Sequence, residues 1–352
     1  MLAAALFIPV PVRALSARKA LVLDPVGNQV LFSRRGEERS LIASTTKIMT
    51  GLLIAETCNV LETVTVPKEA VGIEGSSLYL REGEKLTVQE LLYGMLLRSG
   101  NDAAAALAIH CAGSVPAFAE LMNRRAAELG MQNSHFENPH GLDGKNHYST
   151  AEDLGILGAA AMKNPIFART VATKTVKIGD RYLKNHNKLL WQLPGAEGIK
   201  TGYTRSAGRI LVSSVKKMGR RLITVTIDAP DDWNDHKILT DRGFSGMEEK
   251  VLIQKGEPIG TLEAVGGDRP QVTVCAGEDF SLGIRPGERA DVILPGPGFL
   301  YAPVQAGRDL GKAWVLISGT PVGRISAVCG ESSDLALQEE KTIWKRIFGG
   351  KP

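Results

Sequence analysis

Ser44-Thr45-Thr46-Lys47, Ser99-Gly100-Asn101 and Lys200-Thr201-Gly202 follow one another in that order along this 352-residue chain. They supply a hydroxyl nucleophile, an amine three residues beyond it, a second hydroxyl with a carboxamide, and a cation on a strand-like run. Such a set can cleave or transfer an acyl group through a covalent ester, without histidine, metal or cofactor. A serine hydroxyl is a weak nucleophile and needs a base. Positions i and i+3 share a helix face, which sets Lys47 beside Ser44. An ordinary lysine is protonated at neutral pH, so Lys47 serves as a base only where burial or neighbouring positive charge lowers its pKa. Lys200 is the candidate for that charge.

Context separates this pair from coincidence. A chain of this length should hold roughly one S-x-x-K by chance, yet four occur: Ser16…Lys19, Ser44…Lys47, Ser213…Lys216 and Ser214…Lys217. Ser16 follows an apolar N-terminal segment, and Ser213 and Ser214 end a strand-like run that enters a basic turn. Only Ser44 opens an apolar helical pattern, through Ile48, Met49, Leu52, Leu53 and Ile54. Ser99-Gly100-Asn101 links the apolar helix 88–98 to an Ala-rich helix over 102–112, where short polar side chains can point into a cleft. Read alone, Asn101 is equally a helix N-cap. Lys200-Thr201-Gly202 starts a β-patterned run that resumes at Arg209. There Gly202 would let a substrate backbone come close, and Lys200 can pair with a terminal carboxylate.

The elements that must position these groups have their own patterns. Strands are expected over 19–24 and from Gln29, joined by Pro25-Val26-Gly27-Asn28, with further strands over 209–215 and 221–227. Helices are expected over 45–57, 88–98, 102–112, 115–129 and 150–163, the last opened by a capping box at Ser149 and Glu152. A sheet assembled from both ends of a domain around a helical insertion is an α+β arrangement. The nucleophile then lies on the helical side and Lys200 on the sheet edge, with a substrate peptide able to lie along that edge as an added strand.

Beyond residue 247 the texture changes. Short Val- and Ile-rich runs alternate with Gly/Pro turns, which predicts a small all-β domain over 248–330. Residues 331–352 read as an amphipathic tail: Ile343, Trp344, Ile347 and Phe348 share a face beside Lys341, Lys345, Arg346 and Lys351, a composition suited to an anionic membrane surface. Residues 1–17 read as a signal peptide, with small-residue cleavage patterns ending at Ala14 and Ala17. That leaves 18–247 as the catalytic domain. Net charge is +4 with no basic stripe interleaved with aromatics, so nucleic acid is not a partner. His135, His140 and His147 lack zinc-ligand spacing. Cys58, Cys111, Cys275 and Cys329 show neither metal nor C-x-x-C spacing and read as free thiols, a disulfide remaining open.

With its motifs placed, the chain resembles the low-molecular-mass penicillin-binding proteins, specifically the serine-type D-alanyl-D-alanine carboxypeptidases. The resemblance runs from about Ala20 to Phe244 and includes Phe136-Glu-Asn-Pro-His-Gly-Leu142, Asn185-His-Asn-Lys-Leu-Leu190 and Gly198-Ile-Lys-Thr-Gly-Tyr-Thr204. It implies a penicillin-binding/β-lactamase-like transpeptidase domain, an antiparallel sheet with a helical insertion, followed by the small β domain. It also implies that Ser44 attacks the carbonyl between two D-alanines while Lys47 takes its proton. Ser99 and Asn101 would relay protons and position the acyl chain; Lys200 and Thr201 would grip the terminal carboxylate. The backbone N–H groups of Ser44 and Tyr203 would form the oxyanion hole. The implied substrate is the peptidoglycan pentapeptide, β-lactams would acylate Ser44, no cofactor is called for, and the protein would work outside the cytoplasmic membrane. Many relatives carry a carboxylate-binding arginine after the strand hairpin. Here the stretch Asp228–His236 is acidic, and Arg205 and Arg209 lie nearer the K-T-G.

Three other readings remain. A class A-type β-lactamase shares the motifs but needs a glutamate to activate the deacylating water. Glu128, Glu137 and Glu152 lack the E-x-x-L-N context, which predicts slow hydrolysis of a penicilloyl adduct. Endopeptidase action on cross-links, and wall binding without catalysis, are the other two.

Overall fold

The computed structural model describes residues 15–294, 296 and 298–336. The chain divides into two compact units, Met1–Ser245 and Gly246–Pro352. Along the first unit run β1 (Lys19–Asp24), β2 (Gln29–Arg34), α1 (Lys47–Thr57), β3 (Thr63–Thr65), β4 (Lys85–Thr87) and α2 (Val88–Arg98). Then come α3 (Asn101–Ala112), α4 (Val115–Glu128), α5 (Ala151–Ala161), α6 (Pro165–Ala172), β5 (Thr175–Ile178), β6 (Arg181–Lys184) and α7 (Leu189–Gln192). The unit closes with β7 (Ala196–Thr204), β8 (Gly208–Lys217), β9 (Arg220–Ile227) and α8 (Asp232–Phe244).

Five strands form one antiparallel sheet in the order β2-β1-β9-β8-β7, so β7, which carries Lys200-Thr201-Gly202, is an edge. Strand alternation sends Leu21 and Leu23 to one face and Val22 to the other. Glycines let a helix press close on each. A Cβ at Gly155 of α5 would stand 2.3 Å from Leu21, and one at Gly243 of α8 would stand 2.9 Å from Val22. Outside α5, the helices α1, α2 and α3 pack on a core that includes Ile48, Met49, Leu52, Leu91, Met95 and Leu107. Where the β8–β9 hairpin meets β1, the buried Arg220 guanidinium pairs with the buried Asp24 carboxylate at 2.6 Å.

Helix starts decide how the motifs are presented. The capping box sits at Thr87 and Glu90, at the head of α2. At α5 the cap is Thr150, whose hydroxyl accepts from the Asp153 N–H, rather than Ser149. Ser149 is held in extended pairing with Ser40 through backbone bonds in both directions, which removes it from the helix. α3 is capped by Gly100, so Asn101 is its first helical residue and keeps its side chain for other partners.

The second unit holds β10 (Glu248–Ile253), β11 (Pro258–Val265), β12 (Gln271–Ala276), β13 (Phe280–Ile284), β14 (Ala290–Ile293), β15 (Phe299–Tyr301), β16 (Asp309–Ile317) and β17 (Thr320–Cys329). Six of them form a sheet ordered β14-β16-β17-β12-β11-β15, and β10 pairs with β13. Val272, Val274, Val315 and Ile325 are among its buried side chains. Residues 1–14 of the expected leader and 337–352 of the expected tail lie outside the described residues. Ser16 and Ala17 are described. The Ser16 N–H and hydroxyl and the Ala17 N–H all donate to the buried Asp235 carboxylate, at 2.7–2.9 Å. A cut after Ala17 would remove those bonds, whereas one after Ala14 would keep them.

Candidate active site

Ser44 lies in a 3-10 turn, Ala43–Thr46, that runs directly into α1. The turn is braced from several sides. Thr45 and Thr46 donate back to the Ile42 and Ala43 carbonyls. His147 accepts from the Glu137 N–H through Nδ1, so its proton sits on Nε2, which faces the Thr46 hydroxyl at 2.7 Å. Burial pushes the His147 imidazole down to about 4, which keeps it neutral. Ala43, just before the nucleophile, is in the left-handed region at φ 46°. Gly141 sits against its carbonyl so closely that a Cβ there would stand 1.9 Å from the Ala43 oxygen.

Lys47 is fully buried, and its Nζ has three neighbours: Ser44 Oγ at 3.0 Å, Asn101 Oδ1 at 2.6 Å and the His140 carbonyl at 2.6 Å. Asn101 presents its oxygen to Lys47 because its Nδ2 donates to the Glu74 carbonyl. The protonation state follows from this inventory. Burial first, and the Lys200 charge second, depress the Lys47 pKa well below its usual value. A neutral amine has two N–H groups and one lone pair. Asn101 Oδ1 and the His140 carbonyl can only accept, so they take the two N–H groups. Ser44 is the one neighbour able to donate, and the lone pair is aimed at its proton.

Ser99 caps the C-terminus of α2 in the left-handed conformation, with φ 64° and ψ 27°. Asp102 organises the covering segment. Its carboxylate accepts from the Ser77 hydroxyl and from the N–H groups of Leu78 and Leu80. Ser44, Ser76, Ser99, His186, Lys188, Thr201, Gly202, Tyr203, Arg209, Asp232 and Trp233 line one open cavity of about 370 Å³. Five of the eight residues expected at the site therefore face it: Ser44, Ser99, Thr201, Gly202 and Tyr203. Lys47 and Asn101 stand behind Ser44.

Two expectations change. Gly202 was expected to admit a substrate backbone, but it admits the nucleophile turn. A Cβ there would lie 3.2 Å from both the Ile42 carbonyl and the Thr45 nitrogen. Lys200 was expected to reach a ligand carboxylate. Its side chain is 1% exposed and absent from the cavity lining, with Nζ donating to the Thr201 carbonyl at 2.8 Å. Burial lowers it to about 7. Its positive charge acts on Lys47, whose pKa it helps to lower.

Besides Lys188, the cation that lines the cavity is Arg209, opposite Tyr203 in the β7–β8 pairing. It donates to both Asp232 oxygens, at 2.8 and 3.0 Å, and lies 5.7 Å from the Trp233 ring centre. The acidic stretch 228–236 thus supplies the carboxylate that orients an arginine. The loop Asn138–Leu142 was also missed as a working part. It supplies the His140 carbonyl to Lys47 and the Pro139 carbonyl to Thr50. Its backbone atoms do that work, and side-chain patterns do not report them.

Residues 8–231 match the peptidase S11 family, described as D-alanyl-D-alanine carboxypeptidase. The chain belongs to that family. Its activity is that of a serine-type D-alanyl-D-alanine carboxypeptidase, a hydrolase. Among S11 relatives, the D-alanyl-D-alanine carboxypeptidase DacF of Bacillus subtilis is 32% identical over 95% of this chain and 89% of its own. Penicillin-binding protein 5 of Haemophilus influenzae has a TM-score of 0.66 at 28% identity, covering 91% of this chain and 98% of that one. Penicillin-binding protein D2 of Listeria monocytogenes, solved with ampicillin bound, has a TM-score of 0.62 at 29% identity, covering 67% and 100%. The Haemophilus influenzae match spans 91% of this chain and so takes in both the α+β unit and the β-rich unit.

Proposed function

We propose that this S11 enzyme releases the terminal D-alanine of peptidoglycan stem peptides through an ester on Ser44. Ser44 Oγ attacks the carbonyl between the two D-alanines as its proton passes to the Lys47 lone pair. The oxyanion accepts from the Ser44 and Tyr203 backbone N–H groups. Collapse breaks the C–N bond, and the departing amine takes a proton from Lys47, with Ser99 and Asn101 in the relay. Water then attacks the ester, and Lys47 receives the water proton and returns one to Ser44. Thr201 and Arg209, both on the cavity wall, meet the terminal carboxylate, while Lys200 supplies positive field from beneath. The observation that carries this reading is the three-neighbour environment of Lys47, which leaves a neutral amine only Ser44 to accept from.

The same attack opens a β-lactam, and the ampicillin-bound Listeria relative supports that extension. Asp232 is the one carboxylate among the lining residues, and it is held by Arg209. Nothing acidic on the wall is therefore free to activate water, and the penicilloyl ester persists. Intact-protein mass spectrometry with benzylpenicillin tests this, together with D-alanine release from a D-Ala-D-Ala peptide. The expected results are one long-lived adduct on Ser44 and stoichiometric release of D-alanine. Rapid cephalosporin turnover without D-alanine release would establish a β-lactamase instead. We assign the enzyme to the outside of the cytoplasmic membrane, with the 331–352 tail on anionic lipid. Co-sedimentation with phosphatidylglycerol vesicles but not phosphatidylcholine vesicles is the expected behaviour, and loss of the difference at physiological salt would remove the assignment.

A further inference from the structure

Cys58 caps the C-terminus of α1, and Cys111 lies in the last turn of α3. Their sulfurs flank one hydroxyl: Thr57 Oγ1 is 3.7 Å from Cys58 Sγ and 3.4 Å from Cys111 Sγ. Both cysteines are partly exposed, so a small reagent can reach them. The neighbouring Cys58 thiol holds the Cys111 thiol down at about 6, and Cys111 in turn pushes Cys58 upward. Reactivity follows the thiolate, so Cys111 is the attacking sulfur and Cys58 the resolving one.

The other two cysteines are arranged against pairing. In the β12–β17 register, Val274 faces Cys329 and Cys275 faces Val328. Residues directly opposite share a sheet face and neighbours along a strand alternate, so the Cys275 and Cys329 side chains leave on opposite faces. Each compact unit holds two of the four cysteines, and only the pair in the first unit has its sulfurs together.

We propose that Cys58 and Cys111 form a dithiol–disulfide pair, closed by a small-molecule or protein disulfide. The Cys111 thiolate attacks one sulfur of the oxidant and displaces a thiolate, which leaves a mixed disulfide. Cys58 gives up its proton and attacks the Cys111 sulfur, expelling the second thiolate. Two protein thiols are oxidised and one oxidant disulfide is reduced to two thiols. The bridge joins the far ends of two helices whose near ends meet in the catalytic site, where Lys47 opens α1 and Asn101 opens α3 at 2.6 Å from each other. Closing a loop of about fifty residues in the unfolded chain should raise Tm by roughly 10 °C.

The test uses the full chain, reduced and then incubated with oxidised glutathione, quenched with iodoacetamide and digested without reductant. Mass spectrometry should find tryptic peptides 48–68 and 99–124 joined, about 2 Da lighter than their sum because two hydrogens leave as the disulfide forms. Cys58→Ser should abolish the cross-link and leave Cys111 as a mixed disulfide with glutathione, while labelling of Ser44 by penicillin is unchanged. Recovery of Cys58 and Cys111 separately alkylated, or separately glutathionylated, in the wild type would overturn the proposal. So would a cross-link from either residue to Cys275 or Cys329.

Discussion

Lys47→Arg isolates the proton-accepting role, because arginine keeps donors for Asn101 and the His140 carbonyl but cannot deprotonate. A lysine at its usual 10.5 would be neutral in only about 3 molecules in 10,000 at pH 7, a penalty of about 4.8 kcal/mol on any step that needs the free amine. Burial and the Lys200 charge reduce that penalty, and the carbonyls at 2.6 Å aim the lone pair at Ser44. Removing a positioned base costs about 10²–10⁴-fold, or about 2.7–5.4 kcal/mol. Acylation by a fluorescent penicillin under pseudo-first-order conditions measures the loss. In the wild type the rate should rise with pH and level off, with the rise displaced far below 10.5. Lys47→Arg should be slower by at least about 10² at every pH and show no such rise. Lys47→Met, which does not bury a guanidinium, should show the same loss with a native circular dichroism spectrum. Either variant within tenfold of wild type, or a wild-type rate whose rise is centred near the ordinary lysine value of 10.5, would refute the base assignment.

Lys200→Met removes the charge that helps to depress Lys47, so the acid limb of acylation should shift to higher pH; a shift to lower pH would contradict the electrostatic role. Lys200 titrates at about 7 in the folded protein against a usual 10.5, so between those values the unfolded chain holds a proton that the folded one lacks. Stability to urea should therefore increase as pH rises through that window, and Lys200→Met should flatten the increase. Asp24→Ala leaves the buried Arg220 without its carboxylate and should cost about 3–5 kcal/mol in urea denaturation, with Ser44 labelling retained at low temperature. Gly141→Ala combines φ +87° with a Cβ 1.9 Å from the Ala43 oxygen, and should lose about 2 kcal/mol or more together with acylation rate.

The first-order chemistry was legible from spacing alone. Ser44 and Lys47 are three residues apart where a 3-10 turn runs into an apolar helix, and that local geometry sets their side chains 3.0 Å apart. The same local logic holds for α2, α3 and α4, whose observed ends lie within a residue of the apolar periods. Turn and cap details were less secure, because Ser149 and Thr150 have equal capping chemistry and a strand-like pairing with Ser40 chose between them.

Tertiary packing decided the rest, because it acts through atoms that sequence patterns do not describe. The His140 carbonyl that directs Lys47 is a backbone group on a loop 93 residues away. Gly202 reads as a docking place for ligand until the nucleophile turn is seen against it. Lys200 reads as a carboxylate anchor until burial removes it from the cavity wall, and Arg209 is held on that wall because Asp232 and Trp233 return to it from the next helix. Residue types and spacing determined which reaction this chain can perform. Burial, which sets the charge on each amine, and long-range backbone contacts, which aim the lone pair, were decided only when the chain folded.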